Sequence, residues 1–396
     1  MQSFFRIEKL PPYVLAEVEE EKAAARKRGE ELVDFGLGNP DQDTPADIVK
    51  TLVDGATTRG QHRYMPSKGI DEARVAIARW YKNRFAVEID PATEAVVTIG
   101  SKEGIAHLLL AMLGPGRACL SPAPAYPIHQ FGVAIAGAEL ATYAVGPGID
   151  ICDSIVAGYD RAATKPMLLI VNFPHNPTAE TVDLKTYERI FAFARAKDMW
   201  VVSDLAYADI TFGGFEPPSF LQVAGAKERA VEFFTVSKSY NMPGWRVGFC
   251  VGCREMTSGL ARLKTYMDYG SFGPLQLGAA RALATPRSVT REIAALYESR
   301  CDALVAGLNR AGWPVTKPRG TMFLWTRVPN ACRDMSSMAF AKWLIREAKV
   351  AVAPGVGFGE GGEGFVRFAF VEDVAKIERA CRQIGDALLA RTNAQR

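Results

Sequence analysis

The sequence predicts an α/β fold built on a mostly parallel sheet, joined to a smaller α+β unit. Three observations lead there. Short apolar, β-branched runs recur along the first 250 residues, separated by amphipathic helical patterns, the rhythm of strands joined by crossovers. The run at 167–171 is apolar throughout, as a strand buried on both faces must be. Towards the C-terminus the rhythm changes to long helical patterns with isolated short strands between them.

Pro11-Pro12 opens the first helix, which runs to about Lys27. A strand at 95–99 leads through Gly100-Ser101-Lys102-Glu103 into a helix ending at Leu113. A strand at 118–120 runs into a turn set by Pro122, Pro124 and Pro127. The strand at 167–171 follows, then a helix at 184–197 and a strand at 199–203. Strands at 231–236 and 247–251 complete this part. Beyond it lie a long helix at 291–311, strands at 321–326, 350–353 and 365–370, and helices at 338–348 and 374–391. Gly357-Phe358-Gly359-Glu360-Gly361-Gly362 has the spacing of a dinucleotide-binding loop, but a strand follows it where that site needs a helix. It reads as a mobile glycine-rich loop.

Composition excludes several classes of function. The 396 residues suffice for two domains, or for one large domain with an extension. A net charge of +3 is small for that length and argues against nucleic acid or an anionic membrane as the main partner. The apolar run near the N-terminus is too short and too interrupted by charge for a signal peptide, and no stretch reaches membrane-spanning length. The seven cysteines are odd in number and dispersed, which fits a reducing compartment, so the expected location is the cytoplasm. Cys250 and Cys253 form a CxxC inside an apolar run and read as core residues. None of the four histidines pairs at metal-ligand spacing, and no metal is expected.

The chemistry concentrates in five segments that each follow a predicted strand. In a parallel sheet the carboxyl ends share one edge, where ligands bind. The strongest segment is 237–248. Lys238 follows a strand next to hydroxyls, and Arg246 stands eight positions on in a glycine-containing turn. A lysine that loses its proton is a nucleophile towards carbonyls. An arginine is a fixed fork for phosphate. Together they suggest a cofactor that is both aldehyde and phosphate ester, pyridoxal 5′-phosphate. Ser101 and Lys102 lie at a helix N-terminus, an anion site, where Ser101 could equally be a plain cap. Tyr126 sits in a proline-rich turn that could hold its ring flat on a planar cofactor. Asn176 lies in an Asn-Pro turn and could donate to a phenolate oxygen. Asp204 ends a strand, where a buried carboxylate needs a cation such as a protonated pyridine nitrogen. Tyr207 stands three residues on. Each residue has a plain alternative: solvated lysine, packing tyrosine, turn-capping aspartate.

The order and placement of these segments resemble the class I/II aminotransferases of the fold-type-I pyridoxal phosphate family, over almost the full length. The fragments Leu37-Gly38-Asn39-Pro40-Asp41, Gly100-Ser101-Lys102-Glu103-Gly104, Asp204-Leu205-Ala206-Tyr207-Ala208-Asp209-Ile210 and Phe233 to Met242 are most similar to the glutamate–pyruvate (alanine) aminotransferase branch. The resemblance implies a large domain at 45–285 with a seven-stranded, mostly parallel sheet between helices. An N-terminal arm at 1–44 and a C-terminal segment at 286–396 would build the small α+β domain. It implies that Lys238 carries the cofactor as a Schiff base and shuttles the proton. Asp204 would pair with the pyridine nitrogen, Tyr207 and Asn176 would bind the ring oxygen, and Tyr126 would stack on the ring. Ser101, Lys102, Ser237 and Arg246 would hold the phosphate. Arg367, with the Gly38 backbone and Asn176, would bind the substrate carboxylate. Tyr64 would reach the phosphate of a neighbouring subunit, making the unit a homodimer with shared sites. The substrates would be an amino acid and a 2-oxo acid, alanine and glutamate with pyruvate and 2-oxoglutarate, exchanged by a ping-pong route. Methionine, aromatic or LL-diaminopimelate transamination and, further off, C–S lyase chemistry remain alternatives. The sequence departs from the family pattern at Ala179, where glycine is usual, and at 42–45 and 64–67. Residues 266–274 contain no arginine for a distal carboxylate.

Overall fold

The apolar runs become strands close to where periodicity places them. A computed structural model describes residues 4, 6, 8, 10 and 15–395. The chain opens with α1 (Leu15–Lys27), β1 (Val33–Asp34), α2 (Ala46–Thr57) and α3 (Asp71–Phe85). It continues through β2 (Ala95–Thr98), α4 (Ser101–Met112), β3 (Ala118–Ala123), α5 (Pro127–Ala136), β4 (Glu139–Ala144) and α6 (Ile151–Arg161). Then come β5 (Leu168–Asn172), α7 (Leu184–Ala196), β6 (Trp200–Asp204), β7 (Ala230–Thr235), α8 (Val236–Ser239) and β8 (Gly248–Gly252). The remainder is α9 (Arg254–Met267), α10 (Gly273–Leu283), α11 (Arg287–Arg310), β9 (Phe323–Arg327), α12 (Ser337–Ala348), β10 (Val350–Ala351), β11 (Ala353–Pro354), β12 (Phe365–Ala369) and α13 (Val374–Ala394).

Seven strands form the main sheet in the order β2-β8-β7-β6-β5-β3-β4. Only β8 runs against the rest, pairing antiparallel with β7 and β2. That reversal matters for the site. Thr235 at the end of β7 lies opposite Gly248 at the start of β8, so α8 and the turn at Pro243–Trp245 close one short excursion at a single edge. Lys238 and Arg246 both stand in it. The central strands are buried on both faces: every residue of β5, β7 and β8 is out of solvent. Trp80 from α3 covers Phe234 at a centroid distance of 4.4 Å. Each large apolar side chain buried in this way contributes about 1.5–3 kcal/mol.

A second apolar cluster combines Val33 and Phe35 from the N-terminal segment with Leu304, Trp313, Phe340 and Phe368. The predicted strand at 350–353 is two strands. β10 pairs parallel with β1, and β11 pairs antiparallel with β12. Val352 between them marks the change of partner. The glycine-rich loop folds as short 3₁₀ turns at Gly355–Phe358 and Glu360–Gly362 before β12, and the carbonyl of Phe358 accepts from the backbone N–H of Ala125 at 2.9 Å. The proposed helix start at Pro11-Pro12 lies outside the described residues.

All seven cysteines are buried without disulfides, and burial pushes the Cys250 thiol up. Among the described residues no helix is long and apolar enough to cross a membrane. Glu103 and His107, four apart on α4, do converge with Asp268 in the manner of metal ligands. The buried ammonium of Lys264 already stands among them, 3.1 Å from Glu103 Oε1 and 2.8 Å from Asp268 Oδ2, and supplies the positive charge that these carboxylates need.

Candidate active site

The carboxyl ends of β2, β3, β5, β6 and β7 open onto a cavity of about 1130 Å³. Gly38, Ser101, Lys102, Tyr126, Asn176, Asp204, Tyr207, Ser237, Lys238, Arg246 and Arg367 all line it. Tyr64 does not. It is 89% exposed, packed on Tyr269 at 5.5 Å, in a separate depression with Phe272.

Lys238 projects from α8, and its Nζ donates to the Gly38 carbonyl at 2.7 Å. Burial first, then the cations of Arg367 and Arg246, lower its pKa to about 8. A sizeable neutral fraction therefore exists near neutrality. A Cβ on Gly38 would lie 2.5 Å from Phe323 Cε1, so the loop approaches the site this closely only as glycine.

Asp204 ends β6 at 3% exposure. His129 Nε2, from the first turn of α5, lies 3.0 Å from its Oδ2. Its Oδ1 is buried with no hydrogen-bond partner among the described residues. Asn172 ties the adjacent strand ends together: its Nδ2 donates to the Asp204 carbonyl at 2.7 Å, and its Oδ1 accepts from Asn176 N–H at 3.0 Å. Burial raises the Tyr207 phenol, partly opposed by Arg367, and keeps it protonated as a donor.

Arg367, on β12, is 5% exposed. Its Nη1 donates to Asn176 Oδ1 at 2.7 Å and its Nη2 to the Gly36 carbonyl at 3.3 Å. The guanidinium lies over Phe323 at 3.9 Å and beside Phe358 at 4.6 Å, which holds it flat. Because Asn176 Oδ1 already accepts, its amide N–H₂ is left to donate into the cavity.

The opposite end is an anion cradle. The cap of α4 is Gly100 at φ 76°, not Ser101, which is the first helical residue and makes no capping bond. Its backbone N–H is thus one of the free donors at a helix N-terminus. Ser237 and Thr235 share a hydroxyl contact of 2.8 Å. Arg246, at φ 55°, donates from Nη1 to the Pro243 carbonyl at 3.0 Å. A Cβ on Gly100 would meet Arg246 Nη2 at 2.3 Å. Lys102 Nζ lies 5.7 Å from the centre of the Tyr126 ring.

Sequence reasoning missed His129, Asn172, Phe323 and Phe358. His129 is three residues past Tyr126, and Asn172 directly follows an apolar run, so their positions held the only signal. The fit to pyridoxal 5′-phosphate is chemical: a low-pKa amine, a cationic cradle at a helix N-terminus, and an unpartnered buried carboxylate oxygen for a protonated ring nitrogen. Residues 30–384 match the family model for aminotransferases of class I and II.

The chain belongs to this family. Across 381 residues it is 49% identical to the glutamate–pyruvate aminotransferase AlaC of Escherichia coli, covering 96% of this chain and 92% of that one. It is 38% identical to the LL-diaminopimelate aminotransferase of Moorella thermoacetica, covering 97% and 98%. Among solved structures, substrate-bound BacF of Bacillus subtilis superposes with a TM-score of 0.91 at 30% identity, covering 98% of both chains. The fold is that of fold type I, and the protein is a pyridoxal 5′-phosphate-dependent aminotransferase acting on an amino acid and a 2-oxo acid.

Proposed function

We propose that this aminotransferase exchanges amino groups between alanine and glutamate, with pyruvate and 2-oxoglutarate as the oxo acids, by a ping-pong route. The supporting observation is Arg367, a buried guanidinium lining the Lys238 cavity, in a chain 49% identical to a glutamate–pyruvate enzyme. In this reading residues 1–44 are an arm and part of the small domain, 45–285 the large domain and 286–396 the rest of the small domain. The active unit is a cytoplasmic homodimer in which Tyr64 reaches the partner's phosphate site.

Bound in the cradle, the cofactor supplies an electron sink for the charge left when a proton leaves the substrate α-carbon. This chain's residues do the rest. Arg367 takes the α-carboxylate as a bidentate pair, helped by Asn176 and the Gly38 backbone, and fixes the direction of the Cα–H bond. Such orientation is worth up to about 7–11 kcal/mol in favourable cases. Lys238 Nζ, neutral in part because its pKa is near 8, takes that proton and holds it for return. Asp204, with Oδ2 held by His129, would stabilise positive charge on the ring nitrogen. Tyr207 and Asn176 would donate to the ring oxygen, and Tyr126 would stack on the ring. Ser101, Lys102, Ser237 and Arg246 anchor the phosphate.

The test is a donor panel with purified enzyme. Alanine with 2-oxoglutarate should exceed methionine, aromatic donors and LL-diaminopimelate in kcat/KM. A lead for LL-diaminopimelate would move the chain to its other relatives. Release of ammonia and pyruvate without an oxo acid would show a lyase. Arg367→Lys should raise KM for both partners by about tenfold or more. Lys238→Ala should lose turnover and the visible absorption of lysine-bound cofactor.

A further inference from the structure

Three segments that contribute to the substrate side of the cavity come from distant parts of the chain. The loop at 36–41 carries Gly38, whose carbonyl holds Lys238 at 2.7 Å. β12 carries Arg367. Its continuation, Phe370, pairs back to the Met322 carbonyl at 2.9 Å, next to Phe323. The near end of the loop is held at Phe35, whose carbonyl accepts from Ala369 N–H at 2.9 Å, and Gly38 lies close against the Phe323 ring. Gly36 and Gly38 meet Arg367 and Lys238 only through single carbonyl contacts to the tips of long side chains.

Arg300, on α11, joins these segments from behind. Its Nη1 and Nη2 donate to Asp41 Oδ1 and Oδ2, both at 2.7 Å, across 259 positions of sequence. Nη1 also donates to the Phe370 carbonyl at 3.3 Å. The Arg300 side chain is 3% exposed and that of Asp41 33%. A parallel two-bond pair between planar groups fixes distance, plane and twist together, which a single lysine contact cannot do. One end of this pair is three residues from Gly38 and the other touches a carbonyl three residues from Arg367.

We infer that Arg300 is a positioning residue for transamination: through Asp41 and Phe370 it sets the Gly38 loop and the end of β12 relative to each other, and so sets the gap into which a substrate carboxylate fits. The inference rests on the proposed assignment of Arg367 and Gly38 to that carboxylate. Arg300 touches neither substrate nor cofactor. It acts by limiting how far the loop can lift.

The experiment compares Arg300→Lys, Asp41→Asn and Arg367→Lys as holoenzymes, with hydrogen exchange on the cofactor-free proteins. Arg300→Lys keeps the charge and loses the fork. Asp41→Asn keeps the shape and loses the charge, at a site exposed enough to fold if Arg300→Lys does not. Both should raise KM for donor and acceptor about tenfold while kcat stays within about threefold. Exchange at 36–41 should quicken without cofactor present, while β5 and β6 keep their protection. A fall in kcat at unchanged KM, or unchanged KM with unchanged exchange at 36–41, overturns the inference. If Arg367→Lys also leaves KM unchanged, the carboxylate assignment is wrong and the positioning role falls with it. If Arg367→Lys raises KM and Asp41→Asn does not, the positioning role alone is wrong.

Discussion

His129 Nε2 and Asp204 Oδ2 lie 3.0 Å apart at the carboxyl edge of the sheet, and this contact uses one of the two carboxylate oxygens of Asp204. Oδ2 is committed to His129, and Oδ1 is buried without a hydrogen-bond partner among the described residues. His129 thus holds the side chain from one side.

Removing each member should therefore have unequal effects. Asp204→Ala deletes the carboxylate proposed to face the ring nitrogen and should lower kcat about 10²–10³-fold, the range for one preorganised electrostatic contact. His129→Asn leaves the carboxylate and loosens its orientation, and should lower kcat about 10–100-fold, as for a supporting residue behind a ligand. Steady-state kinetics of both variants check the order. A larger loss at His129 than at Asp204 would contradict the division of roles.

Lys238 gives a pH prediction with a definite sign. Burial and the cations of Arg367 and Arg246 all disfavour its ammonium, so its pKa falls to about 8. In cofactor-free protein, modification of Lys238 by an amine-reactive reagent should rise with pH and level off above about 8, while ordinary surface lysines go on rising towards about 10.4. Taking away one cation, as in Arg246→Met, should move the midpoint upward. Peptide mass spectrometry of the 230–246 region measures both. A midpoint that moves down in Arg246→Met rules out the electrostatic cause.

Most of the site was legible because its residues are backbone-defined. Ser101, Tyr126, Asn176, Asp204 and Lys238 each follow an apolar run, and the common edge of a parallel sheet brings them together without any knowledge of side-chain packing. The strands buried on both faces were legible for the same reason. What was not legible depended on partners. β4 is an edge strand with a mostly exposed pattern, so its sequence carries little apolar signal. The split of β10 from β11 is decided by β1 and β12, far away in sequence. His129 has a role only because α5 lays it against Asp204. Ala179 departs from the expected glycine and stands in the left-handed region at φ 60°, which glycine adopts at no steric cost.

Glu232 offers a stability prediction away from the chemistry. It is fully buried on β7 and accepts from Tyr81 Oη, Ser203 Oγ, Ser219 Oγ and Phe220 N–H at 2.6–3.1 Å. Burial outweighs these donors and raises its pKa to about 7. The folded pKa lies above the unfolded value near 4.3, so the fold favours the protonated form. Its contribution is complete below about pH 4 and is lost as pH rises through about 7, a change of up to about 4 kcal/mol. Denaturant midpoints across pH 5–8 should fall in the wild type and stay flatter in Glu232→Gln. Equal slopes in the two proteins would remove Glu232 as the source.

Gly100 should be the most sensitive backbone position of the phosphate cradle. It caps α4 at φ 76°, a region that side chains other than glycine's rarely occupy. A Cβ there would also lie 2.3 Å from Arg246 Nη2 and 2.9 Å from its Cζ, so the guanidinium would have to leave. Two consequences follow from one methyl group. A side chain at φ 76°, ψ 162° costs about 1–3 kcal/mol, and displacement of Arg246 removes the fork proposed for phosphate. Gly100→Ala should then weaken cofactor binding by about tenfold or more, while KM for the amino acid, measured at saturating cofactor, should change little, because Arg367 lies at the other end of the cavity. Arg246→Met in the same background separates the two effects. If displaced guanidinium is the cause, the second substitution should add little to the first. If strain at Gly100 is the cause, the two losses should add. Titration of the cofactor-free variants with pyridoxal 5′-phosphate gives the answer, and wild-type affinity in Gly100→Ala would show that the cradle does not depend on the close approach of Arg246 to the α4 cap.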